Sequence, residues 1–476
     1  MSKDILSMDA THLYEEIVSG DMTSYEITKT YIIHLKNNER KINAIVEDRF
    51  DLALEEAKDA DQYLKNYGKP IGPLHGVPIC VKESFDVEGM KTTGGLIHLK
   101  DNIAKKDAHI VKRLRDAGAI VLCKTNTSTL CYAQESVNKL YGTTNNPWDL
   151  SRTAGGSSGG EGAILAIGGA AAGIGSDIGG SIRFPCHLNG VIGFKSGMFQ
   201  IDQTGHFPPT VVPIQKRMST SGPMGKSVRD MKRMYQLIAK KHEEKTELEQ
   251  ITIQFLPEDQ PFPLSAKSKK TIQKIEAYLT KNFNIDQNIP PYFNDSALLW
   301  QEMMSANGSD EIKKITFNRV RKNVVFTYIK EKFTKNTPYH EFLLWALIGS
   351  TLFKPSKKRL KEIESILQKG DEMLNKHFKD RVLILPVYHT GAQKHGNIFK
   401  EIFSIRKTFK QYMPYTAYAN VWGLPALTVP IGNDEENMPI GVQVISKNGN
   451  EELIFEIGKL IEENFRGYVR NKEFDS

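Results

Sequence analysis

Residues 155–183 read GGSSGGEGAILAIGGAAAGIGSDIGGSIR. Two glycine-framed serine clusters, Gly155–Gly160 and Gly175–Ser181, bracket a run of small apolar residues. A single Gly/Ser cluster is ordinarily a flexible linker. Here the stretch between them, Ala163–Ala172, is apolar and suited to burial, so the pattern asks for a close-packed interior. It brings serine hydroxyls and bare backbone N–H groups together, which is the equipment of an acyl-transfer site. Ser157 and Ser158 stand where a helix would begin, and Glu161–Ala172 is expected to supply that helix.

Helix and strand signals alternate on either side of this centre. Thr23-Ser24-Tyr25-Glu26 has capping-box spacing, and Ile27, Tyr31, Ile32 and Leu35 follow at helical intervals. Ala53–Leu64 and Ala108–Ala117 read as further helices, the second closed by Gly118. Gly72-Pro73-Leu74-His75-Gly76-Val77-Pro78 punctuates a short apolar strand that ends on Lys82. Ala119–Cys123 reads as a buried strand, and Val191–Phe194 is another short apolar run. Later come helices at Lys269–Asn282, Lys357–Phe378 and Glu451–Asn464, strands at Val382–Pro386 and Ile440–Ile445, and a turn and strand over Gly423–Pro430. The alternation predicts an α/β fold. Without repeats or a disordered divider, one large domain over 1–476 is the simplest reading.

Composition narrows the function classes. The chain has 476 residues, 40% hydrophobic and 25% charged, with a formal net charge of +7. That charge is mild for the length, and the lysine-dense stretches at Lys267–Lys274 and Lys354–Lys361 read as solvated surface rather than a nucleic-acid patch. The cysteines are Cys80, Cys123, Cys131 and Cys186; none forms a CxxC pair, which fits reduced thiols and a reducing compartment. Cysteine and histidine show no metal-ligand spacing, and no metal or cofactor is expected. An N-terminus without an apolar signal region, and no apolar run near ~18 residues, make the cytoplasm the expected location.

A serine nucleophile needs a base. His187 lies near Ser181 and His75 near Lys82 in sequence, but neither serine cluster has the form of a nucleophile elbow. Lys82 is the better candidate. An amine desolvated at the end of an apolar strand loses affinity for its proton, and the neutral form can act as a general base. Taken alone, Lys82 would be an ordinary strand-end lysine with its head in water. Ile178-Gly179-Gly180-Ser181 offers successive backbone N–H groups that could face one oxyanion; the plain alternative is a glycine turn packed for steric reasons.

At Lys82, Ser157 and Ser181, with their flanks, the chain resembles the amidase signature family. The likeness spans most of the sequence and is densest from Gly72 to Lys195. Within the family it is similar to the fatty acid amide hydrolase branch through Gly76-Val77-Pro78, Val81-Lys82-Glu83, the run Gly142–Trp148 (GTTNNPW), Gly160-Glu161, and Asp177-Ile178-Gly179-Gly180-Ser181-Ile182-Arg183-Phe184-Pro185. The A subunit of the tRNA-dependent glutamine amidotransferase usually has Lys-Asp-Asn at Lys82-Glu83-Ser84, Thr at Ile178 and Gln at Phe184. It is the alternative reading, and those departures weigh against it.

The resemblance implies a central twisted mixed β-sheet covered by α-helices on both faces. The core signature would occupy about 72–205, a variable substrate-binding region about 206–400, and C-terminal strands and a helix 401–476. It implies Ser181 as acylated nucleophile, Ser157 as bridging serine after a cis Gly156–Ser157 peptide, and Lys82 as base. The backbone of Ile178, Gly179, Gly180 and Ser181 would form the oxyanion hole. Asp177 and Arg183 would brace the site, and Ser158 would cap the following helix. The reaction implied is hydrolysis of a carboxylic amide, fatty-acid-amide-like, through an acyl-enzyme. Phe207, Met303, Tyr328, Phe342, Trp345 and Phe353 are candidates for an apolar acyl channel or for core. The segment Tyr388–Gly396 follows a strand end, where site-facing loops are expected. The expected partner is a small-molecule amide, a lipid amide included, with no nucleic acid and no spanning segment. A peripheral membrane contact and a homodimer are compatible with the sequence.

Overall fold

The structure is a computed structural model that describes residues 4–240, 251–259, 261–402 and 407–475. Eleven strands among these build one sheet. In chain order they are β1 (Ile45–Asp48), β2 (Pro78–Lys82), β3 (Ile120–Thr125), β4 (Ala172–Asp177), β5 (Ile192–Lys195) and β6 (Thr220–Gly225). They continue with β7 (Thr252–Gln254), β8 (Asn284–Asp286), β9 (Arg381–Pro386), β10 (Ala426–Asn433) and β11 (Pro439–Ile445). The hydrogen-bonded order is β1-β3-β2-β4-β6-β5-β10-β11-β9-β7-β8. Strands β3, β2 and β4 run parallel, the middle of the sheet from β4 to β9 is antiparallel, and β9, β7 and β8 are parallel again.

Side-chain alternation shows that both faces are covered. On β9, Val382 and Ile384 join one hydrophobic cluster while Leu383 and Leu385 join another. Successive residues of a strand point to opposite faces, so these are two cores on two sides of one sheet. The helices Val228–Ile238 and Glu451–Asn464 feed the first core; Ser296–Met304, Lys357–His377 and Pro414–Val421 feed the second. Every residue of β2 to β6 is buried, which is why these strands read as unbroken apolar or small runs.

The capping box at the first long helix is formed. Thr23 Oγ1 accepts from the Glu26 N–H, and Glu26 Oε2 accepts from the Thr23 N–H, both at 3.1 Å. The central helix differs from expectation. It covers only Gly159–Ala166, and Ala172–Asp177 is strand β4. Gly168, in the left-handed region at φ 79°, ends it. Small residues serve both halves for one steric reason. A Cβ at Gly160 in the helix would lie 2.5 Å from the Asn126 backbone N, and one at Gly173 in the strand 2.1 Å from Glu161 Oε2. The run is therefore a helix and a strand pressed together.

This packing places the functional residues. Ile79, Cys80 and Val81 of β2 pair with Ala172, Gly173 and Ile174 of β4. The carboxyl ends of β3, β2 and β4 thus lie at one edge, carrying Thr125, Lys82 and Asp177. In sheets with parallel strands this is the edge where ligands bind.

Candidate active site

Lys82 is fully buried, and its Nζ donates to Ser157 Oγ at 2.5 Å and to Ser176 Oγ at 2.9 Å. Burial pushes the pKa of this amine below its ordinary value; Cys131, Asp177 and Glu161 pull the other way without overcoming it. The Gly156–Ser157 peptide is cis. Ser181 is 4% exposed and its carbonyl accepts the Ser158 N–H at 3.2 Å. Ser157 and Ser181 share one chamber wall, but no hydrogen bond joins their hydroxyls in this structure. Ser158 does not cap its helix. Its hydroxyl donates to the Ser176 carbonyl at 3.4 Å, and the first helical N–H, of Gly159, is accepted by Ser136 Oγ at 2.8 Å. The acceptor comes from a distant loop because Ser158 points back toward β4.

The 177–183 loop is held by a buried ion pair. Arg183 Nη2 and Nε meet Asp177 Oδ1 and Oδ2 at 3.0 and 3.1 Å. Burial alone would raise the Asp177 carboxyl, but the Arg183 charge and its hydrogen bonds outweigh it and hold the group well below the carboxylate range. The remaining Arg183 donors go to the Thr416 carbonyl, Gln443 Oε1 and Asn420 Oδ1 at 3.0, 2.8 and 2.6 Å. Asp177 Oδ1 also accepts the Gly180 N–H at 2.8 Å, and Oδ2 the Ile182 N–H at 3.1 Å. Gly180 is therefore removed from the expected set of oxyanion donors. The N–H groups of Ile178, Gly179 and Ser181 have no acceptor among the described residues. Two side chains set the peptide planes here: Trp300 Nε1 donates to the Ile178 carbonyl at 2.8 Å, and Gln134 Nε2 to the Gly179 carbonyl at 3.2 Å.

A family model described as Amidase matches residues 26–455. The chain belongs to the amidase family. Fatty-acid amide hydrolase 2-A of Danio rerio is 32% identical over 504 aligned residues, covering 98% of this chain and 90% of that one. The A subunit of a glutamyl-tRNA(Gln) amidotransferase of Caldanaerobacter subterraneus subsp. tengcongensis is 28% identical, covering 97% of each. Among solved structures, a fatty acid amide hydrolase superposes with a TM-score of 0.80 at 22% identity, covering 96% of this chain and 85% of that one. The protein is an amide-hydrolysing enzyme of this family.

Two chambers of this amidase meet at Ser181, Ile178 and Cys131. The larger, about 850 Å³ including its open mouth, is walled mainly by Trp300, Met304, Trp345, Ile348, Leu352 and Phe353. The smaller, about 480 Å³, carries Ser157, Ser176, His206, Thr210, Gln215 and Ser219. Of the apolar candidates from the sequence, Trp345 and Phe353 line the larger chamber. The others pack elsewhere: Phe207 against the Leu96 and Leu130 cluster, Met303 within the core, Tyr328 on Trp345 at 5.4 Å and Phe342 on Phe399 at 3.8 Å. The Tyr388–Gly396 segment does not reach either chamber. Thr390 and Gly391 are tied to Asp434 and His389 to Glu401, while Ile402 and Phe409 further along line the wall. His187 is engaged by Thr390 and Gly441, and His75 by Ile71.

Sequence reading missed Ser176, Cys131, Gln134 and Trp300. Ser176 had a signal, since it stands inside the second serine cluster and next to Asp177 at the end of a strand. The other three lie in stretches without a motif. An Asp177→Ala substitution leaves the Arg183 charge buried without its partner, so a stability loss of about 3–5 kcal/mol is expected. Chemical denaturation followed by tryptophan fluorescence measures it; an unchanged midpoint would refute the clamp.

Proposed function

We propose that this amidase hydrolyses a linear carboxylic amide with an apolar acyl group through an acyl-enzyme on Ser181. The observation that carries the reading is the buried Lys82 amine, 2.5 Å from Ser157 Oγ, behind a chamber whose wall also holds Ser181. In the proposed reaction neutral Lys82 takes the Ser157 proton as Ser157 takes that of Ser181. A side-chain rotation brings the two hydroxyls into contact; such hydrogen bonds often tighten only when substrate binds. Ser181 Oγ attacks the amide carbon, and the oxyanion forms against the N–H groups of Ile178, Gly179 and Ser181. The proton returns through Ser157 to the leaving nitrogen, the C–N bond breaks, and free amine departs. Water then attacks the acyl-enzyme by the same proton path and releases the acid. The apolar chamber suits the acyl chain and the smaller polar chamber the amine.

Ser181→Ala is expected to lower turnover of simple amides by ~10⁴ or more and to abolish labelling by a fluorophosphonate probe. Labelling that persists in this variant would overturn the assignment. Because Lys82 acts unprotonated and its pKa lies below the ordinary 10.5, kcat/KM rises with pH until the amine is neutral and then levels off. Lys82→Ala is expected to remove that rise; a rise that survives the substitution would exclude Lys82 as the base. The likeness to the A subunit of an amidotransferase supplies a second reading. Purified chain that releases ammonia from glutamine, and not from aliphatic amides, would favour it.

The mouth of the larger chamber supports a lipid source for the substrate. Leu352, which lines that chamber, is 66% exposed, and the neighbouring helix Val324–Thr334 presents Val325, Phe326, Ile329 and Phe333 to solvent. Exposed Lys330 and Lys332 lie on the same helix, and exposed Arg319, Arg321 and Lys322 precede it and line a surface hollow with Val325 and Leu352. An exposed apolar stripe accompanied by cations fits an anionic bilayer surface. Phosphatidylglycerol vesicles should carry the protein on flotation and phosphatidylcholine vesicles should not, with Phe326→Ser/Phe333→Ser losing the interaction. Equal flotation of the variant would refute this surface.

A further inference from the structure

Beside the mouth of the larger chamber lies a surface hollow of about 1410 Å³ including open solvent. Ile348 and Leu352, one turn apart on the helix Glu341–Leu352, wall both spaces. The hollow has an apolar side, made by Phe317, Val324 and Val325. Its other side is cationic, made by Lys313, Lys314, Arg319, Arg321 and Lys322, and Asp310 is the only acidic residue lining it. Lys313 and Lys314 are partly engaged, with Asp310 at 3.8 Å and Glu311 at 2.5 Å. Arg319 and Arg321 are exposed and form no ion pair among the described residues.

Taken together, the two spaces describe an elongated ligand. Trp345 and Leu352 both line the larger chamber. They stand two turns apart on one helix, so the chamber follows it for about 10 Å. Its walls are mainly apolar, and a charged group drawn inside would lose its hydration without gaining a partner. The neutral amide end of a long acyl amide therefore enters, and an anionic group at the far end of the chain stays at the mouth. There the cations of the hollow face it, while the last methylenes rest on Leu352 and the apolar side. The inference rests on the reading above, in which this chamber takes the acyl chain. We infer that the preferred substrates are amides of long-chain acids whose far end carries an anionic group, held in this hollow by Arg319 and Arg321. The charge then also fixes which end of the chain reaches Ser181. An anionic lipid headgroup offers the same chemistry from another source, and assays without vesicles separate the two.

The test compares sebacic acid monoamide with 10-hydroxydecanamide. The two share a chain length and a polar far end, and only the first is anionic at neutral pH. Without vesicles, kcat/KM from ammonia release should favour the carboxylate by about three- to tenfold at low salt. The preference should shrink at high salt, where exposed charges are screened, and Arg319→Glu/Arg321→Glu should bring the ratio to one or below. A wild-type ratio near one, a ratio indifferent to salt, or a preference that survives the double substitution would overturn the inference. A wild-type ratio near one, with phosphatidylglycerol flotation lost in the variant, would assign the hollow to lipid headgroups instead. If wild-type enzyme hydrolyses neither amide, the reaction assignment has failed; binding of the two amides to Ser181→Ala, read by thermal shift, then still decides the role of the hollow. Stronger stabilisation by the carboxylate, lost in Ser181→Ala/Arg319→Glu/Arg321→Glu, would uphold it, and equal shifts would refute it.

Discussion

The Asp177–Arg183 ion pair is the constraint on which the site depends. Both groups are buried, and each would carry a desolvation penalty of several kcal/mol if left alone. They persist because nearly every polar atom is used: Arg183 reaches Asp177, Thr416, Asn420 and Gln443, and Asp177 also takes the N–H groups of Gly180 and Ile182. Two consequences follow for the 177–183 loop. Gly180 is drawn into a left-handed conformation at φ 100°, where a side chain would be strained and a Cβ would strike Phe184. The loop is also bolted to the helix Pro414–Val421 and to β11, elements more than 230 residues further along the chain. The geometry around Ser181 is thus shared between the two halves of the sequence.

The same pair shapes the electrostatics of Lys82. Two carboxyl groups lie close enough to hold a proton on this amine, and both are otherwise occupied. Burial raises Glu161 to about 8, against the pull of Thr125 and Lys82, so it is largely neutral at pH 7. Asp177 is ionised but committed to Arg183. Desolvation of the amine therefore prevails, which is what the proposed base requires. Cys131 adds a third acidic neighbour. Burial pushes its thiol up, while the Lys82 charge and the contacts with His206 and Thr127 bring it down to about 6. That pull lasts only while Lys82 carries its proton.

Much of this is legible in the chain. Flanking apolar residues and proline punctuation place Lys82 at the end of a buried strand. The serine clusters are legible because glycine at that density is rarely tolerated without a steric reason. Legibility fails where small residues do not discriminate. Ala, Gly and Ile do not mark where a helix stops, so sequence alone carries the helix past Ala166, through the turn at Gly168, to Ala172, which is the first residue of β4. It fails again at Ser158, whose capping role passes to Ser136 across the fold, and at Gly180, whose N–H is taken by a carboxylate three residues earlier.

The sequence by itself determined the alternation of helices and strands, the two serine clusters and the lysine that belongs with them. These are local matters: a glycine where a Cβ cannot fit, an apolar run where water is excluded. Only the tertiary structure decided which residues wall the chambers, which backbone donors remain free, and what becomes of the charge on each carboxyl group. Gln134, Trp300, Leu352 and Phe409 come from separate stretches without a shared motif, and they meet because the sheet and its two cores place their elements at one edge. Hydrogen-bond commitment and desolvation depend on that packing, so they have no signature in the order of residues.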